Sequence, residues 1–192
     1  MGLGNNTDRH QSGRPRKWLS INHGKVELSE NGEKQLFSFV QGHLRSIYTA
    51  PRTYNGEQVT KWFIDLEDGE DELYTLSFPY NSGTFKGIIL SLASCESLTS
   101  GTLVKIEPYQ KGNFTNVVVR ADGCKLDWVT NELPPVEYIT INGRTIKDEG
   151  KRMAYITTLT GTINKRASRD ENSNIGTDSG DLWQKMRDIT NK

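Results

Sequence analysis

Residues 84–98, Thr-Phe-Lys-Gly-Ile-Ile-Leu-Ser-Leu-Ala-Ser-Cys-Glu-Ser-Leu, decide how the rest of the chain is read. Phe85, Ile88, Ile89, Leu92 and Leu98 follow helical spacing, and Thr84 stands where an N-cap belongs, so a helix is expected here. The segments around it read as strands: His43–Thr49, Val59–Glu67 and Glu72–Phe78 before it, Leu103–Pro108 and Thr115–Ala121 after it. Three strands, one helix and two strands is a moderately specific order, because sandwiches rarely insert a single helix at that point.

An OB barrel has this order, with the helix plugging one end. The expected fold class is therefore all-β with one or two short helices, a five-stranded OB barrel with an N-terminal β extension and a C-terminal hairpin. The extension is a small meander, Trp18–Ile21, Lys25–Leu28 and Leu36–Val40, broken by the turn dipeptides His23-Gly24 and Asn31-Gly32. Beyond Pro134-Pro135, Tyr138–Ile141 and Arg144–Lys147 flank Asn142-Gly143 as a hairpin expected to lie against the barrel. In 150–163 the helical spacing of Met153, Ile156, Leu159 and Ile163 competes with a Thr-rich composition that suits a strand; helix is favoured. Residues 1–16 and 165–180 lack the apolar content to offset ordering and read as a disordered arm and a linker. The domain is thus placed at 17–164, with a flexible tail at 165–192.

Composition excludes several classes. Hydrophobic residues make up 34% of the 192, and 24 basic residues balance 24 acidic ones, so any affinity for nucleic acid has to come from uneven distribution of charge. Cys95 and Cys124 have no CxxC partner, and His10, His23 and His43 show no metal spacing, so neither metal nor cofactor is expected. No P-loop, nucleophile elbow, HExxH or GxGxxG occurs, and the acidic run Asp65–Glu72 reads as solvated carboxylates at a hairpin tip; no catalytic role is expected. Without a signal peptide or membrane-spanning run, a cytoplasmic location is the default expectation.

Binding of single strands needs cations that follow phosphates and aromatic faces that stack bases. In Val59–Glu67 the alternation places Trp62, Ile64 and Leu66 in the core and leaves Lys61 and Phe63 outside. The segment 50–58 (APRTYNGEQ) offers Arg52 and Tyr54, and Tyr109-Gln110-Lys111-Gly112-Asn113-Phe114 repeats the chemistry of ring, cation and glycine. These occupy the two loops with which OB folds grip a strand. Arg45, Lys105 and Arg120 are further candidates or ordinary surface charges, and Tyr80 is either a stacking ring or a hydroxyl tying down a corner. In the tail, Leu182, Trp183, Met186 and Ile189 form an amphipathic segment suited to a partner's groove.

Three blocks, 17–26 (KWLSINHGKV), 61–69 (KWFIDLEDG) and 76–83 (LSFPYNSG), with NELPPV at 131–136, make residues 17–150 resemble bacteriophage single-stranded DNA-binding proteins. The resemblance implies an OB barrel behind a leading strand with an Asn22-His23-Gly24 turn, and a role in phage DNA replication or recombination inside the host cytoplasm. Trp18 is expected to be buried against the barrel. The chain departs from many bacterial single-strand binders in having no acidic tip, so the Leu182–Ile189 segment would have to recruit replication or recombination proteins. An RNA-binding OB protein and a protein-interaction barrel of a phage assembly are the alternative classes, and oligomerisation is compatible with each.

Overall fold

The computed structural model describes residues 16–69 and 72–170. The strands are β1 (Arg16–Asn22), β2 (Lys25–Glu30), β3 (Glu33–Phe37), β4 (Val40–Tyr54), β5 (Glu57–Glu67) and β6 (Leu73–Pro79). Helix α1 (Gly83–Ser94) follows, then β7 (Leu103–Lys111), β8 (Phe114–Ala121), β9 (Cys124–Leu126), β10 (Glu137–Ile141), β11 (Arg144–Asp148) and helix α2 (Gly150–Ala167). The protein is mostly β. The N-terminal arm through residue 15 and the segment carrying Leu182, Trp183, Met186 and Ile189 lie outside the described residues.

The five strands expected of a barrel are present as β4 to β8, yet they are not closed by pairing. One sheet of nine strands runs β3-β2-β1-β6-β5-β4-β7-β8-β9. The edge of β6 is taken by β1, which pairs in parallel from Arg16 against Leu73 to Leu19 against Leu76. The sheet curls so that the β1–β2 turn meets the β7–β8 hairpin. In the β1–β2 turn His23 and Gly24 have φ of 47° and 70°, both in the left-handed region. The Gly24 N–H donates to Thr115 Oγ1 at 3.3 Å, and a Cβ on Gly24 would lie 2.4 Å from the Gln110 backbone nitrogen. Only glycine fits so close an approach.

Inside the curl, Trp62 stacks on Phe85 at 4.7 Å and Phe78 lies 5.5 Å from the same ring. Leu44, Ile64, Leu66, Leu76, Ile88, Ile89, Val104 and Ile106 complete the centre. α1 is buried along almost its whole length because the sheet covers one side and α2 another. Its N-cap is Ser82, two residues before Thr84, with Oγ accepting from the Phe85 N–H at 3.2 Å. The third strand of the meander also differs from expectation: Phe37 ends β3, and Val40 opens β4.

The Thr-rich segment is helix. Thr157, Thr158, Thr160 and Thr162 turn their hydroxyls back onto the carbonyls four residues earlier, which satisfies them without leaving the helix. α2 continues past 164, so Lys165 and Arg166 belong to it and not to a linker. Arg166 donates to the carbonyls of Ala93 and Cys95 at 2.8 and 3.1 Å, supplying partners at the C-terminal end of α1. Asn164 accepts from the Ile47 N–H at 2.9 Å and donates to its carbonyl at 2.7 Å, standing in for a strand where β4 has no β7 beside it. The β10–β11 hairpin forms as expected but does not lie against the sheet: Tyr138 through Lys147 are exposed. Among the described residues no helix is long and apolar enough to cross a membrane.

The helices are also joined by charge. Lys86 of α1 is buried and pairs with Glu149, the residue before α2, which Lys147 pairs as well. Hydrogen bonds from Lys147 and then Lys86 hold the Glu149 carboxyl down at about 2 against an ordinary 4.5. A depressed carboxyl contributes stability that is complete above 4.5 and is lost as pH falls towards 2. Glu149→Gln should therefore lower the melting temperature at neutral pH and flatten its fall across that acid range. Thermal melts across that range in which both proteins lose stability at the same slope would remove Glu149 from the acid transition.

Candidate nucleic-acid interface

The outward face of the sheet is assembled by register. Phe63 of β5 lies opposite Tyr48 of β4 and Ser77 of β6, and Asp65 lies opposite Thr75, which pairs in turn with Trp18 of β1. A bulge after Leu44 makes Arg45 the extra residue, and this keeps both Leu44 and Ile47 in the core while Tyr48 and Arg52 point outward. Trp62, Ile64 and Leu66 are buried as their alternation requires.

Phe63 sits on the outer side, as expected, but is only 1% exposed, so it cannot serve as an open stacking ring. Trp18 meets it edge-on at 6.0 Å, Tyr48 stacks on it at 5.3 Å, and the Arg52 guanidinium carbon lies 4.9 Å from its ring centre. The available ring is Trp18, 45% exposed, which corrects the expectation that it is buried. The signal was in β1: Leu19 and Ile21 share one face and face the core in part or whole, which sends Trp18 to the other.

Beside these rings, on the same face, lies a polar cluster. Asp65 is buried, accepts from Thr75 Oγ1 at 2.6 Å and Ser46 Oγ at 3.4 Å, and pairs with Arg16 at 3.6 Å. Arg16 also donates to the Tyr48 hydroxyl at 3.3 Å. The acidic run is therefore not simply solvated: Asp65 and Glu67 are buried, and Glu72 pairs with Lys17 at 2.6 Å. The guanidinium carbons of Arg16 and Arg52 lie 5.4 and 5.3 Å from the Trp18 ring centre. An open groove of about 420 Å³ runs between Trp18, Arg52, Thr53, Lys61, Phe63 and Ser77. Lys61 also borders an adjoining cleft with Tyr54 and Pro79.

Charge pairing separates the candidate cations. Arg45 is bound to Glu67, while Lys105 and Arg120 share Glu107 at 2.9 and 2.7 Å. Those two bonds hold the Glu107 carboxyl below its ordinary range, and Lys105 also sits 4.0 Å above the Phe39 ring. Arg52, Lys61 and Lys111 have no carboxylate partner among the described residues. A cation already neutralised by a carboxylate has less to offer a phosphate than one that is not.

The two expected loops are mostly strand. β4 and β5 run up to the Asn55-Gly56 turn, with Tyr54 exposed at its base; β7 and β8 are joined by Gly112-Asn113 between Lys111 and Phe114. Tyr109 and the exposed Phe114 line a separate groove of about 810 Å³ against α1 and Trp128. Arg52 and Lys61 thus border the groove at Trp18, with Tyr54 in the cleft that adjoins it at Lys61, whereas Tyr109, Lys111 and Phe114 form a second surface. β1 connects them, with Trp18 on the first and the Gly24 turn against Tyr109 and Gln110. Tyr80 stacks on Trp62 at 6.0 Å with 9° between the rings, covering the buried indole while remaining exposed itself.

No family model, curated protein or solved structure matches this chain.

The two rings predict opposite behaviour. Phe63→Ala empties a buried site and should cost roughly 3–5 kcal/mol. Trp18→Ala, which removes a half-exposed ring, should cost less than half as much in urea denaturation. Equal losses would place Trp18 among the residues that hold the fold.

Proposed function

We propose that this chain is a non-enzymatic, sequence-tolerant single-stranded DNA-binding protein that covers DNA exposed during phage replication or recombination. One observation carries the reading: two cations without carboxylate partners, Arg52 and Lys61, line an open groove beside the half-exposed Trp18 ring. Phosphates would lie on Arg52 and Lys61 while a base stacks on Trp18, and Thr53 and Ser77 offer hydroxyls at the groove wall. Tyr54 extends the track towards the β4–β5 turn, and Tyr109, Lys111 and Phe114 provide a second station. Base stacking and phosphate contacts of this kind discriminate little between sequences.

An OB-type framework fits the same strands. Their order is β4-β5-β6-α1-β7-β8, and the long, bulged β4 pairs β7 through its first residues and β5 through the rest. In this reading the β1–β2 hairpin fills the gap between β6 and β8 that strand pairing leaves open. The phage setting, the host cytoplasm and recruitment of replication proteins through Leu182–Ile189 rest on the resemblance and on residue spacing.

Competition among oligo-dT, oligo-rU and duplex DNA tests the proposal. Oligo-dT should bind tightest, with affinity falling along a log–log line in salt. Trp18→Ala should weaken it by about 1–3 kcal/mol, and joint replacement of Arg52 and Lys61 by Gln should reduce the salt slope by about 1.4. Lys105→Gln and Arg120→Gln should change affinity little. Tighter binding of oligo-rU would favour an RNA role, and equal affinity for duplex would reject single-strand binding.

A further inference from the structure

The β10–β11 ribbon is attached at its base and bare elsewhere. Lys151 pairs with Glu137 and Lys147 with Glu149, both at the end where the ribbon joins the body. Its ladder pairs Ile139 with Ile146 and Ile141 with Arg144, so alternation sets Glu137, Ile139, Ile141, Arg144, Ile146 and Asp148 on one face. Ile139, Ile141 and Ile146 are 45%, 52% and 51% exposed, and none packs against the core. Two strands without a covered face are marginal in water. Three β-branched apolar residues together on such a face mark an interaction surface.

Charge on that face identifies the occupant. The tip carries Arg144, which has no ion pair among the described residues, and the base carries Glu137 and Asp148. A twofold axis in the plane of the face and perpendicular to the strands reverses one ribbon over the other. That operation lays Ile139 on Ile139, Ile146 on Ile146, Arg144 of each copy on Asp148 of the other, and Glu137 of each on Ile141 of the other, where the Glu137 carboxylate also lies beside Arg144. The face thus meets itself with isoleucines at its centre and opposite charges at Arg144 and Asp148, as an isologous interface requires. We propose that two copies of this chain dimerise through the Ile139/Ile141/Ile146 faces of their β10–β11 ribbons, packed antiparallel. The inference does not depend on the DNA-binding reading, because the ribbon shares no residue with the Trp18 groove.

Sedimentation of the full chain from about 1 µM to 1 mM, a range that spans weak and moderate dimers, should show a concentration-dependent dimer. A monomer throughout would overturn the proposal. Ile139→Asp with Ile146→Asp should leave a monomer whose far-ultraviolet circular dichroism and melting temperature match wild type, since neither side chain enters the core. Arg144→Glu alone should weaken the dimer at least tenfold, and Arg144→Glu with Asp148→Arg should recover it relative to either single change. This exchange keeps the proposal testable if the isoleucine variant misfolds. A dimer that persists in the isoleucine variant, or charge reversals that do not compensate, would place the contact elsewhere. Oligo-dT affinity measured on the same variants separates failure of this interface from failure of the DNA site.

Discussion

The parallel pairing of β1 with β6, Arg16–Leu19 against Leu73–Leu76, is the constraint on which the rest of the architecture depends. It occupies the edge that β8 would need in order to close a barrel. It carries Trp18 over Phe63 and brings Arg16 to the buried Asp65. Farther along, it delivers the Gly24 turn to the β7–β8 hairpin. A parallel pair requires a long crossover, and here the connection is β2, β3, β4 and β5 together. The leading strand can therefore settle only when most of the sheet exists, and the candidate groove is complete only when that strand is in place.

Local patterns were legible because they are local. Helix α1 declared itself through Phe85, Ile88, Ile89 and Leu92, and the hairpins through Asn55-Gly56 and Asn142-Gly143, whose first residues adopt φ of 49°. Such signals involve neighbours in sequence and physics that acts over a few residues. The face of β5 was legible for the same reason: Trp62, Ile64 and Leu66 alternate with Lys61, Phe63 and Asp65. What alternation cannot state is whether an outer face stays open. Phe63 is buried by residues 15 positions before it in β4 and 45 before it in β1, a coincidence of register and not of spacing. Closure of the barrel was illegible in the same way, since it turns on which of two strands reaches the β6 edge.

A neutral composition hid the distribution of charge that matters. Position in the sequence could not rank Arg45, Arg52, Lys61, Lys105, Lys111 and Arg120, because each is a cation beside an apolar residue or in a turn. Pairing ranks them. Glu67 of β5 pairs with Arg45 of β4, and Glu107 pairs with Lys105 two residues before it on β7 and with Arg120 of β8, so those charges are partly cancelled and their side chains anchored. Exposed pairs of this sort contribute little stability, about 0–1 kcal/mol each. Their larger effect is to remove positive potential from that side of the sheet and leave it where Arg52 and Lys61 stand beside Trp18.

Asp65 places a carboxylate on the same face as the groove that is proposed to receive phosphates, which at first sight opposes the reading. Its geometry points the other way. Thr75 and Ser46 donate to it and Arg16 pairs with it, so its charge is matched by its own neighbours on that face. A buried carboxylate left without such partners would be costly; with them it fixes Arg16, and Arg16 in turn reaches both the Tyr48 hydroxyl and the Trp18 ring. The carboxylate therefore orders the aromatic floor, while Arg52 and Lys61, which it does not contact, supply the positive charge at the surface. Under the proposed function, a ring held by such neighbours would lose less freedom when a base stacks on it, and that preorganisation would favour binding without requiring any contact to the identity of the base.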